Sequence, residues 1–242
     1  IENEFTPANS LDRYLFSYYK SFIEGSYQFQ FSSNVEVKFN SLISMSKKAA
    51  QFSDYVFLRQ YCLLITFSNI YKSSELQIAE SKFVEIKENA SYMALPEFQT
   101  YIALIEMLHS TEHEHYFQYK DLVFKNLALW DNEDKINFIS FLLNYSTAQI
   151  NKGHVKFIDE QYELFLIFEE QNIFNIPNYI NNTKINNVIH IFLRKKDYER
   201  AEDFIKRYVE MLGKDTIDSC RHFNLARIRF EKSLYKDSLR EL

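Results

Sequence analysis

A chain of 242 residues with 46% hydrophobic and 17% aromatic content can bury far more apolar surface than a disordered chain, so a folded protein is expected. Three glycines and three prolines are too few for turn-rich β-sandwiches or glycine-dependent α/β folds, which leaves an all-α protein. A net charge of −5, spread over both signs, excludes the basic stripe that phosphate neutralisation needs, and nucleic acid is not an expected partner.

About a dozen amphipathic segments follow the 3.6-residue period of helices. YQFQF, SSN and VEVKF, at 27–39, alternate as two strands of a hairpin would. Tyr27 with Phe31, and Val35 with Phe39 and Ile43, also share i, i+4 spacing, and helices are the preferred reading. Cys62 sits in an apolar periodic segment far from Cys220, so two reduced, buried thiols are expected rather than a disulfide or zinc site. The longest apolar runs, CLLITF and LFLIF, fall well short of the ~18 to 20 residues of a membrane span. No membrane insertion and a cytoplasmic location are the corresponding expectations.

Helix ends carry their own signals. Ser74 with Gln77, and Asp131 with Asp134, place a capping side chain before a helix and a partner in its first turn. HSTEHEHYF at 109–117 concentrates three histidines and two glutamates. Turn chemistry accounts for most of it: His109 ends one helix, Thr111 caps the next, and Glu114 completes a Thr-x-x-Glu capping box. His109 and His113 are the candidate metal pair. HExxH spacing is absent, so no metal site is expected. Trp130, the lone tryptophan, is expected in the core. Pro177 and the asparagines around it suggest a lengthened loop, and the one candidate break in the chain, near 172–182. Gly213 marks a stop before Asp215, with Asp218 expected in the next first turn.

Internal repetition decides the architecture. Residues 182–215 contain Phe192, a polar turn, and then Tyr198, Ala201, Phe204, Ile205 and Tyr208. This resembles the tetratricopeptide repeat, a helix-turn-helix unit of about 34 residues. Phe192 matches its first-helix aromatic, Tyr198 the aromatic after the turn and Ala201 its small second-helix residue; Ile189 departs from the usual small residue. Residues 223–242 repeat the pattern with Ala226, Tyr235, Ser238 and Leu239, although Arg229 replaces an aromatic. Anchors at Val35, Leu76, Tyr116, Val155, Tyr198 and Tyr235 recur every 37 to 43 residues. The expectation is a single α-solenoid of about six antiparallel helix pairs over 1–242. Because the last pair stops at Leu242, a C-terminal truncation is expected, with a further repeat, cap or effector domain beyond it.

The resemblance also implies a concave groove lined by the first helix of each pair. Its groove positions fall on Ser140, Leu143, Thr147 and Asn151, then Thr183, Asn186, His190 and Arg194, then Cys220, Phe223, Arg227 and Glu231. Asn187 and Asn224 occupy positions of the family's carboxylate clamp, without its lysines. Donors and positive charge at Asn186, His190, Arg194 and Arg227 suit an acidic or carboxylate-bearing peptide. There is no G-x-S-x-G elbow, phosphate loop or dinucleotide fingerprint, and neither catalysis nor a cofactor is expected. The first reading is therefore a non-catalytic protein–protein interaction module that holds a partner protein or peptide. Two alternatives stand beside it: the sensor domain of a transcriptional or signalling regulator, and a helical metal-binding enzyme built around the histidines.

Overall fold

The computed structural model describes residues 10–68, 76–177 and 179–241. Among them every regular element is helical: eleven α-helices, together with three short 3-10 turns. No helix among the described residues is long and apolar enough to cross a membrane. The helices pack as adjacent pairs, and the chain divides into two compact units, Ile1–Ile139 and Ser140–Leu242. The division falls inside a helix and not at 172–182, where the sequence suggested a break.

The first unit contains α1 (Ser10–Phe31), α2 (Val35–Ser68), α3 (Leu76–Glu88), α4 (Pro96–His109), α5 (His113–Lys125) and the start of α6 (Asn132–Asn151). Residues 27–39 are helical on both sides of a tight turn. Asn34 Oδ1 accepts hydrogen bonds from the N–H groups of Glu36 and Val37, capping α2 where a strand would have needed a ladder partner. At 22 and 34 residues, α1 and α2 are longer than the segments expected from periodicity. Pro96 opens α4, where its missing N–H costs nothing. Eight of the fourteen α4 residues are buried, on all its faces, which makes α4 the centre of this unit. Aromatic rings surround it: Tyr55 meets Tyr101 at 5.7 Å, Tyr92 stacks on Phe98 at 4.4 Å and Phe138 meets Tyr101 at 5.0 Å. Trp130 is buried as expected; its indole donates to the Val123 carbonyl at 3.2 Å.

The turn at 109–113 differs in detail from its sequence reading. Helix α5 starts at His113 with Glu112 at the cap position, and no side chain completes a capping box. Ser110 Oγ, rather than Thr111, accepts the nearby backbone bond, from the N–H of Glu112 at 2.9 Å. Asp131 does cap α6, accepting from the Asp134 N–H at 2.9 Å. The Ser74 cap lies outside the described residues.

Asp134 is 1% exposed, and neither of its oxygens has a hydrogen-bond partner of good geometry. Burial raises its pKa above the usual carboxylate value, against the opposing pull of Ser10 and Arg59. A raised folded-state pKa gives stability that is present at low pH and lost as pH rises through it. Asp134→Asn keeps the shape and removes the charge. It is expected to raise stability at neutral pH by about 1 kcal/mol and to remove the loss of stability that the Asp134 charge brings as pH rises out of the acid range, measured by urea unfolding; destabilisation at neutral pH would contradict this account.

The second unit continues α6 and adds α7 (Lys156–Glu170), α8 (Asn182–Arg194), α9 (Tyr198–Tyr208), α10 (Lys214–Glu231) and α11 (Tyr235–Glu241). Its three helix pairs share one turn geometry. Gly153, Lys196 and Ser233 each adopt positive φ. The next residue in each case, His154, Asp197 or Leu234, donates its N–H to a carbonyl five residues back, at 3.0, 2.9 and 2.8 Å. This is the Schellman turn, repeated at all three places two residues before the anchors Val155, Tyr198 and Tyr235. Ala201, fully buried, lets α9 approach its neighbours closely. Gly213 precedes α10, but Asp215 rather than Asp218 occupies the first turn.

Candidate functional site

On α6, residues 140, 143, 147 and 151 recur at helical spacing and line one wall of a cleft of about 490 Å³. Thr183, Asn187, His190 and Arg194 of α8 form the opposing wall. Gln161 sits at the floor, 6% exposed, and its amide donates to Thr147 Oγ1 at 2.7 Å and Ser146 Oγ at 3.0 Å. A second cleft of about 350 Å³ adjoins the first along α8, because His190 and Arg194 line both. Its other wall is α10, through Phe223, Arg227, Phe230 and Glu231.

Most of the residues named from the repeat register therefore line these clefts. Three positions differ. Cys220 is 2% exposed and faces the core. Asn224 is fully buried; its amide donates to Asn186 Oδ1 at 2.7 Å and the Cys220 carbonyl at 2.8 Å. Asn186 is half-buried and turned toward Asn224 rather than into either cleft. An α-helix turns 100° per residue, so positions three and four apart drift across the face, and the edges of the groove stripe fall on the core side.

The buried Asn224 amide positions one cationic group. Arg227 donates to Asn224 Oδ1 at 3.3 Å, its other terminal nitrogen lies 3.4 Å from His190 Nδ1, and the guanidinium sits 5.5 Å from the Phe223 ring centre. Burial lowers the pKa of His190, and the positive charges of Arg227 and Arg194 lower it further. His190 is thus neutral at pH 7 and can accept from Arg227. Burial also lowers the pKa of Arg227, with Glu231 opposing.

Neither Arg194 nor Arg227 is within ion-pair distance of a carboxylate among the described residues, although Glu231 shares the wall with Arg227. Seven of the nine arginines form ion pairs with carboxylates. Among the described residues only Arg194 and Arg227 do not, and both open onto the second cleft. Register reasoning missed the floor residues, Gln161, Phe165, Phe174 and Tyr179. They come from α7 and the segment after it, and a rule that reads only the first helix of each pair cannot reach them.

The histidine-rich turn assembles no comparable site. His109 ends α4 with its ring against Tyr61 and Phe83, at 5.8 and 6.5 Å between centres. His115 Nδ1 is buried without a partner. The described residues contain no group of three or more His, Cys, Asp or Glu side chains placed to hold an ion. Comparison with protein-family models, with curated proteins and with solved structures gives no match.

Proposed function

We propose that this chain is a non-catalytic protein–protein interaction module, a tetratricopeptide-like α-solenoid that holds an acidic peptide segment of its partner along α6, α8 and α10. The recurring Schellman turns of the second unit support the repeat reading. The observation that carries the ligand class is the pair of arginines, Arg194 and Arg227, left without carboxylate partners in one cleft of a chain whose net charge is −5. A guanidinium beside a partly desolvated aromatic wall is the donor geometry that suits a carboxylate, with bidentate bonds available. Asparagine and threonine side chains in the adjoining cleft can bond the backbone of an extended peptide.

The test is a titration with a fluorescent peptide rich in Asp and Glu beside its Asn and Gln isostere. The acidic peptide is expected to bind at least about a hundredfold more tightly, at about 1.5–3 kcal/mol per charge-assisted bond, and more weakly as salt rises. A bound carboxylate raises the pKa of His190. Affinity should therefore climb as pH falls from 7.5 towards the lowered free-state value, below about 6.5, and His190→Gln should remove the climb. Equal binding of the two peptides, or binding indifferent to salt, would sink the acidic-ligand reading.

A further inference from the structure

Between residues 16 and 53 only Gly25 is buried, although these residues form the distal parts of both α1 and α2. Eleven large apolar side chains in residues 16–43 are more than a third exposed. The two helices do pack on each other: Tyr18 stacks on Phe52 at 6.1 Å, Ser21 Oγ lies 3.4 Å from Ser44 Oγ, and Gly25 gives Met45 room for close approach. A pair of helices alone cannot enclose a core, and here the apolar side chains continue around the outside.

The outer face of α1 is ordered. Phe16, Tyr19, Ile23, Tyr27 and Phe31 recur at three- and four-residue steps on the side opposite Tyr14, Tyr18, Ser21 and Gly25, and are 38 to 66% exposed. At about 200 Å² per large side chain, this stripe leaves roughly 500–600 Å² of apolar surface. That reaches the upper end for the largest patch on an ordinary monomer. Doubled across a twofold axis it passes the ~1,000 Å² that a specific interface needs. Phe29 is also half exposed but faces α2, where Lys38 lies 5.5 Å from its ring centre.

We propose that a second copy of this chain covers the α1 stripe, the two α1 helices packing antiparallel across a twofold axis near Ile23. The area favours this occupant, since the doubled stripe has the size that an isologous contact between two copies buries. An anionic membrane would instead call for a basic flank, and Lys20 is the one basic residue of α1 after Arg13.

Sedimentation equilibrium of the full 242-residue chain, from low to high micromolar concentration, is the direct test. A concentration-dependent dimer is expected. Ile23→Glu should weaken it at least about a hundredfold by placing like charges against each other at the axis, with an unchanged far-UV circular dichroism spectrum because Ile23 is 66% exposed. A second variant needs no loss of function: oxidised Ile23→Cys should link to its own copy, whereas Gln28→Cys, off the stripe, should not. A chain that stays monomeric throughout, or a dimer untouched by Ile23→Glu, overturns the proposal. So does monomeric chain that co-sediments with phosphatidylcholine vesicles and loses that property in Ile23→Glu, an outcome that would assign the stripe to lipid.

Discussion

Phe174→Ala is expected to destabilise the chain by about 3–5 kcal/mol, although it lies in a three-residue 3-10 turn and not in a helix. The ring is 1% exposed and meets five others: Phe204 at 4.9 Å, Tyr208 at 5.3 Å, Phe168 at 5.7 Å, Tyr179 at 6.1 Å and Phe165 at 6.3 Å. Those neighbours come from α7, from α9 and from the segment leading to α8. Truncation would therefore open a cavity walled by rigid aromatic rings that collapse poorly, and most of the lost contact energy would stay lost. Phe174→Leu retains much of the volume and should cost only about 1–2 kcal/mol. Urea unfolding followed by far-UV circular dichroism measures both. A loss below about 1 kcal/mol for the alanine variant would mean that this turn is a surface loop.

That turn also marks where the sequence could be read and where it could not. Pro177 and the asparagines at 172, 175 and 178 announce a change of direction, and a 3-10 turn does occur there, with Asn172 at φ 55°. Turn composition describes the backbone and says nothing of whether the apolar residues between the turn formers point inward. Ile173, Phe174 and Tyr179 do, so the segment is core rather than a break. The helical pairs themselves were legible because i, i+4 periodicity and caps such as Asp131 are local properties; Asn181 and Asp197, which cap α8 and α9 in the same way, were not singled out. At 27–39 periodicity alone was ambiguous; the Asn34 cap resolves it in three dimensions, a bond that the string SSN permits without requiring. Of the residues that register singled out, Thr147, Asn151, His190, Arg194, Phe223 and Arg227 line one or other cleft. It could not foresee that Asn186 and Asn224 bond each other, since that depends on how closely α8 and α10 approach.

The double variant Arg194→Glu with Arg227→Glu is expected to lose binding of an acidic peptide by at least about a thousandfold, taking about 1.5–3 kcal/mol for each charge-assisted bond removed and a further contribution from like-charge repulsion. Folding should survive. Arg194 is exposed without an ion pair, so its replacement costs only the dipole interaction of a basic residue in the last turn of α8, about 0.3–1 kcal/mol. Arg227 is half-buried, and its bonds to Asn224 and His190 involve neutral acceptors. Replacing it should cost about 1 kcal/mol, the net worth of such bonds. The variant separates two roles that simple truncation would confuse. If the arginines bind carboxylates, a lysine-rich peptide that the wild-type chain ignores should now bind, because the cleft walls are intact and only the sign of the charge has changed. If they merely solvate the face of α8 and α10, neither peptide should discriminate between variant and wild type. Arg194→Gln with Arg227→Gln supplies the intermediate case: acidic-peptide binding falls, while lysine-rich peptide gains nothing. Retention of acidic-peptide affinity by the glutamate variant would rule out this cleft as the anionic site, whatever else the chain binds.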